Sequence, residues 1–211
     1  MNLIELAVRF FQNGGAFMYP IVVVLVLGLA ISIERILFLR RTHASNRKLW
    51  AEVANDIGSG EFQAARSHVE QSSASLAAVL GFGLERSAAG APRQDVELAM
   101  EEALMEVMPR LERRTPFIFV FANIATLLGL LGTIIGLIQG FTAVANVNPA
   151  EKANLLSASI SVAMNTTAFG LMCAIPLLLA HAWLQARTTE VVDALEMTTV
   201  KFLNLIARDA R

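Results

Sequence analysis

Two stretches of this chain, 115–150 and 153–186, carry no Asp, Glu, Lys or Arg, yet polar oxygens are set into both. The first holds Asn123, Thr126, Thr133 and Gln139, and the second holds Ser157, Ser159, Ser161, Asn165, Thr166 and Thr167. Hydroxyl and carboxamide oxygens inside hydrocarbon can replace part of the water shell of a cation. They can also bond back to the carbonyl one turn earlier, or join two helices. Depth separates these uses. Thr133 lies mid-way along the first stretch, and "MNTTAFG", with Asn165, Thr166 and Thr167, lies mid-way along the second. On adjacent antiparallel helices these residues form a polar ring within an apolar sheath. Thr126, two turns before Thr133, adds a further oxygen. The set Thr126, Thr133, Asn165, Thr166 and Thr167 is the candidate ion pathway, and its many oxygens keep Na⁺ open beside H⁺.

Glycine follows the same logic. "GLLGTIIGLIQG", 129–140, repeats small residues so that Gly132, Gly136 and Gly140 share one helix face. Gly129 and, in the later stretch, Gly170 thin the neighbouring surfaces. Small residues let helix backbones approach closely in lipid, where packing rather than the hydrophobic effect drives association. These glycines hold Thr133 beside a close seam.

Other chemistry finds little support. His43 and His68 have no companion at metal-ligand spacing, and His181 near the end of the last apolar run reads as an interfacial ring. No nucleophile elbow, Walker loop or HExxH is present. "GFGLERSAAG" follows no strand and is a poor phosphate loop. The lone Cys173 cannot form an internal disulfide and reads as core packing. Catalytic residues, metal and cofactor are all expected to be absent, and a net charge of −1 gives no sign of a nucleic-acid partner.

The elements that position these residues follow from composition. Hydrophobic residues make up 55% and charged residues 17% of 211, with a mean hydropathy of +0.55, too apolar for an ordinary soluble domain. A bilayer crossing needs about 20 apolar residues. The charge-free runs therefore predict three transmembrane helices, at 16–39, 116–143 and 155–185. The first is retained rather than cleaved, since no positive segment precedes it and "IERILFLRR" follows as an anchor. Lys and Arg crowd the segment between the first and second spans and the tail after the third, whereas the loop "NVNPAEKAN" holds only Lys152. By the positive-inside rule, 40–115 and the tail 186–211 are cytoplasmic, and the N-terminus and loop 144–154 face outward.

Within 40–115 the pattern is helical. Ser45 is placed to cap a helix to about Ile57, broken by "GSG" at 58–60. Helices over 61–71 and 74–87 follow, and a longer one starts at Asp95, with Val96, Met100, Ala103, Val107 and Leu111 as the core stripe. Residues 1–15 read as an amphipathic helix on the outer lipid surface. The tail continues the third span, its stripe of Val191, Leu195, Phe202 and Ile206 interrupted at Thr198 and Thr199. The fold class is an all-α membrane protein: three transmembrane helices with a cytoplasmic helical bundle.

Three stretches resemble the MotA/TolQ/ExbB proton-channel family, in particular its ExbB/TolQ branch. "YPIVVVLVLGLAISIERILFL" resembles the first span, with Pro20, Ile33, Glu34 and Arg35 on its motif. "ANIATLLGLLGTIIGLIQGF" resembles the second-span Leu-Gly-Thr-x-x-Gly signature, which places a channel threonine on Thr133. "AMNTTAFGLMCAIPLLL" resembles the third-span motif, which places the second channel threonine on Thr167 and the family's proline on Pro176. Two positions depart from the pattern: Val162 stands where many ExbB proteins carry a glutamate, and Thr126 stands where a proline is common.

The resemblance implies a homo-oligomeric ring of five subunits in a bacterial inner membrane. The ring surrounds an ExbD/TolR-like partner with one span and an essential aspartate, and passes work to a TonB/TolA-like protein. It also implies that proton flux is the energy source. A structural scaffold without ion flux is the reading from another class.

Overall fold

The computed structural model describes residues 10–11, 14–145 and 147–209. From Met18 onward six helices follow one another: α1 Met18–Gly58, α2 Phe62–Gln71, α3 Ser75–Ala88, α4 Arg93–Glu112, α5 Thr115–Ala145 and α6 Pro149–Asp209. No strand occurs among the described residues. Three helical stretches are long and apolar enough to cross a membrane, carried by α1, α5 and α6. The all-helical class with three candidate spans is therefore the fold. The amphipathic helix expected over 1–15 falls largely outside the described residues; Phe10 and Phe11 are helical.

The helix expected to start anew at Ser45 does not exist as a separate element. α1 runs unbroken for 41 residues, because "RRTHA" holds no Gly or Pro, and extending a helix is cheaper than nucleating another. The stop comes at the "GSG". Gly60 takes φ +76°, the amide of Glu61 reaches Asp56 O at 2.8 Å, and the amide of Gly60 reaches Ile57 O at 3.2 Å. These paired bonds satisfy the last carbonyls of α1 and require a left-handed residue that glycine supplies without strain.

The chain divides into two compact units. One comprises residues up to Ile33 together with Arg114–Trp183. Its helices carry much of their apolar surface outward: Val23, Leu27, Leu127, Ile134, Ile138, Met172, Ile175 and Leu179 are all exposed. In water such a surface is an association liability, whereas against lipid or a neighbouring subunit it carries no penalty.

The second unit comprises Glu34–Arg113 and Leu184–Arg211 and has an ordinary buried core. Val53, Ile57, Leu80, Met100, Leu111, Leu195 and Phe202 pack together there. The whole stripe of α4, from Val96 to Leu111, is inside. Along α6, Val191, Leu195 and Phe202 are buried, and the polar interruption between them is resolved locally. Thr199 is itself buried, its hydroxyl donating back to Leu195 O at 3.3 Å. Arg35 is 2% exposed; its guanidinium donates to the carbonyl of Leu111 and lies 4.6 Å over the Phe38 ring. Leu111 is in the last turn of α4, where carbonyls have no partner within the helix, so a buried arginine caps it from α1.

Candidate ion pathway

Close helix packing comes first, because it sets where the hydroxyls point. A Cβ on Gly170 would lie 2.7 Å from Ala125 O and 3.0 Å from Gly129 Cα, and one on Gly129 would lie 3.2 Å from Thr167 Cα. Further along α5, the Cβ of a residue at Gly132 would meet Thr166 Cγ2 at 2.4 Å, at Gly136 Ala163 Cβ at 3.1 Å, and at Gly140 Ser159 Cβ at 2.6 Å. The contacts climb α5 as they descend α6, so the two helices run antiparallel along one glycine-lined seam. The pairing extends in the other direction to Phe119 and His181, whose rings are 5.5 Å apart. All five glycines therefore face this seam within one subunit. Pro176 does not: it is exposed and lies inside an unbroken α6.

The seam sets Thr167 against Gly129, one turn before Thr133. Thr167 Oγ1 donates to Gly129 O at 2.8 Å, across from α6 to α5, and that carbonyl lies one turn before Thr133. Thr133 Oγ1 donates to Leu130 O at 2.6 Å on its own helix. Both side chains are partly exposed. Each hydroxyl has given its single proton to a carbonyl, so what each presents outward is lone pairs. Such an oxygen accepts a hydrogen bond from an acid or coordinates a cation; it does not donate.

The remaining hydroxyls have other settings. Thr166 is 2% exposed, and its proton is shared between Gly14 O at 2.6 Å and Val162 O at 2.9 Å. It ties α6 to the turn before α1. That turn also packs aromatically: Phe11 lies edge-on to both Tyr19, at 5.4 Å, and Phe169, at 5.9 Å. Thr126 Oγ1 donates to Ala122 O at 3.2 Å within α5. Asn165, next to Thr166, is partly exposed. Cys173 is buried.

The Thr166–Gly14 tie escaped sequence reasoning, as did the arginine cap on α4. The first joins residues 152 apart and the second residues 76 apart, and neither leaves a local periodicity. The one available signal for the second was a charged pair, Glu34–Arg35, at the end of an otherwise apolar run.

The profile of the MotA/TolQ/ExbB proton channel family matches residues 71–197, which takes in α3, α4, α5 and most of α6. The chain belongs to this family. It aligns at 26% identity over 199 residues with a putative biopolymer transport protein ExbB homolog of Methanothermobacter thermautotrophicus, covering 93% of the chain and 69% of that protein. It is 31% identical over 106 residues to the Tol-Pal system protein TolQ of Haemophilus influenzae, covering 50% of the chain and 44% of TolQ. It is 39% identical over 82 residues to the biopolymer transport protein exbB1 of Vibrio cholerae, covering 39% of the chain and 36% of that protein. The similarity thus reaches the ExbB/TolQ branch of the family, and the chain spans less than half the length of the last two relatives.

Proposed function

We propose that the chain is the ring subunit of an ion-driven motor in a bacterial inner membrane. Five copies form a closed ring around an ExbD/TolR-like single-span partner, and ion flux through that assembly drives work on a TonB/TolA-like protein at the outer membrane. The N-terminus faces the periplasm and the tail the cytoplasm. Kinship with ExbB and TolQ proteins supports the class of machine. The observation that carries the mechanism is the pair of partly exposed hydroxyls, Thr133 and Thr167, with both protons committed to carbonyls.

The apolar runs contain no carboxylate, and a relay of H⁺ or Na⁺ through a membrane needs an anionic or ionisable site. The partner's aspartate supplies it. Loaded with a cation from outside, that aspartate is neutral and passes the apolar wall. At the level of Thr133 and Thr167 it meets acceptor oxygens, which take the hydrogen bond of a protonated acid or help to hold a Na⁺. It then discharges toward the cytoplasm. A potential of about 100 mV contributes about 2.3 kcal/mol per charge moved. A proton is the family's ion, and Na⁺ is the alternative that the remaining oxygens keep open.

Replacing Thr133 and Thr167 together by Val distinguishes a motor from a scaffold. The motor reading predicts rings that assemble with partner but no longer drive ion-dependent work on the TonB/TolA-like protein. A scaffold keeps its function.

A further inference from the structure

Asn46 is nine-tenths buried on α1, and one end of its carboxamide is already committed. Its Oδ1 accepts a hydrogen bond from the amide of Leu76 at 3.0 Å, in the first turn of α3, whose own N-cap, Ala74, provides no side-chain cap. That bond fixes which end is oxygen. Both protons on Nδ2 are left over, with no acceptor among the described residues.

Asn46 lines a cavity of about 190 Å³. His43, Arg47, Lys201, Trp50 and Leu76 line it too, and no Asp or Glu does. Elsewhere in this unit Lys48, Arg66 and Arg110 have carboxylate neighbours in Glu52, Glu70 and Glu106. His43, Arg47 and Lys201 have none among the described residues. The helix end that Asn46 caps adds its own positive partial charge.

We propose that this cavity binds a phosphate group carried on an apolar or aromatic body. The Arg47 guanidinium offers a two-pronged donor suited to phosphate oxygens. Lys201 and His43 add charge, and Asn46 Nδ2, whose residue lines the cavity, supplies a neutral donor. Trp50 and Leu76 form the wall for the body of the ligand. Two sources share this chemistry, the headgroup of an anionic phospholipid and a free phosphate ester. The proposal is independent of the ion pathway and stands or falls separately.

The test uses the full chain. In one arm, inorganic phosphate and phenyl phosphate are titrated into the protein in neutral detergent, followed by ³¹P line broadening and tryptophan fluorescence. In the other, the protein sits in phosphatidylcholine nanodiscs with or without phosphatidylglycerol, and native mass spectrometry counts retained lipid. Saturable binding is expected in at least one arm. Arg47→Ala and Lys201→Ala should weaken it at least about tenfold, and Asn46→Asp should abolish it. Asn46→Asp keeps an acceptor for the Leu76 amide and puts a negative charge at a helix N-terminus, which favours folding; a thermal melt checks this. Binding in the soluble arm identifies a free phosphate ester, and retention of phosphatidylglycerol alone identifies a headgroup. Absence of binding in both arms overturns the proposal, including the case in which a second copy of the chain covers the cavity. Binding indifferent to all three substitutions overturns it as well.

Discussion

A threonine hydroxyl has one proton to give and two lone pairs to offer, so the destination of the proton decides what the side chain does. In Thr166 the proton goes to Gly14 O in a buried setting, and the oxygen is hidden. In Thr167 it crosses to Gly129 O while the side chain stays partly exposed. These two neighbours, alike in residue type, are predicted to respond differently. Thr166→Val should lower the melting stability of the detergent-solubilised protein by about 1 kcal/mol, the typical net value of one hydrogen bond, with ion flux unchanged. Thr167→Val should leave stability within a similar margin and reduce flux of the complex with its partner by at least about tenfold, or about 1.4 kcal/mol in the barrier. Flux assays and thermal melts on the same preparations check both.

Arg35 makes the same point for charge. Its sequence position suggests a membrane-end anchor, yet it is buried and bonded to Leu111 O. Arg35→Ala leaves a buried carbonyl without its partner, and a loss of about 2 kcal/mol is expected in chemical denaturation. A surface anchor would lose far less.

Glycine has opposite meanings along these helices. In α6 a methyl on Gly170 would collide with backbone atoms, Ala125 O and Gly129 Cα, neither of which can swing away. Gly170→Ala is therefore expected to cost about 1–3 kcal/mol by overpacking and to disturb the level of Thr167 with it. At Gly58 nothing lies within 4 Å of an added Cβ, and the residue is helical, so Gly58→Ala should stabilise by about 0.5–1 kcal/mol. Thermal melts of the two variants should move in opposite directions.

Helix identity in this chain was legible wherever the signal is periodic or a breaker is present. α2 and α3 begin and end within a residue or so of their sequence reading, and the α4 stripe is buried from Val96 to Leu111. No helix starts at Ser45, because a capping residue matters only where something ends the preceding helix, and α1 continues to Gly58. The seam glycines were legible as small residues on one face. Gly170 and the "MNTTAFG" stretch were legible as their counterpart, whereas the contacts of Gly136 with Ala163 and of Gly140 with Ser159 were not, since residue-by-residue register is a tertiary matter that spacing within one helix does not encode.

For the molecule as a whole, composition alone established a membrane protein: three charge-free runs leave no soluble alternative of this length. What composition also establishes is a deficiency. The runs carry hydroxyls and carboxamides but no carboxylate, with Val162 at the position where the family resemblance leads one to expect a glutamate. The proposed ring, built only from this chain, would have acceptor oxygens in these runs and no carboxylate to load. Moving a bare cation past it is costly, at several kcal/mol or more. The direct test reconstitutes the chain into liposomes with and without its single-span partner, and measures H⁺ and Na⁺ flux under an imposed potential. The account predicts no flux from the chain alone, flux with the partner, and loss of that flux on Asp→Asn in the partner's helix. Sustained flux through the chain alone would contradict it.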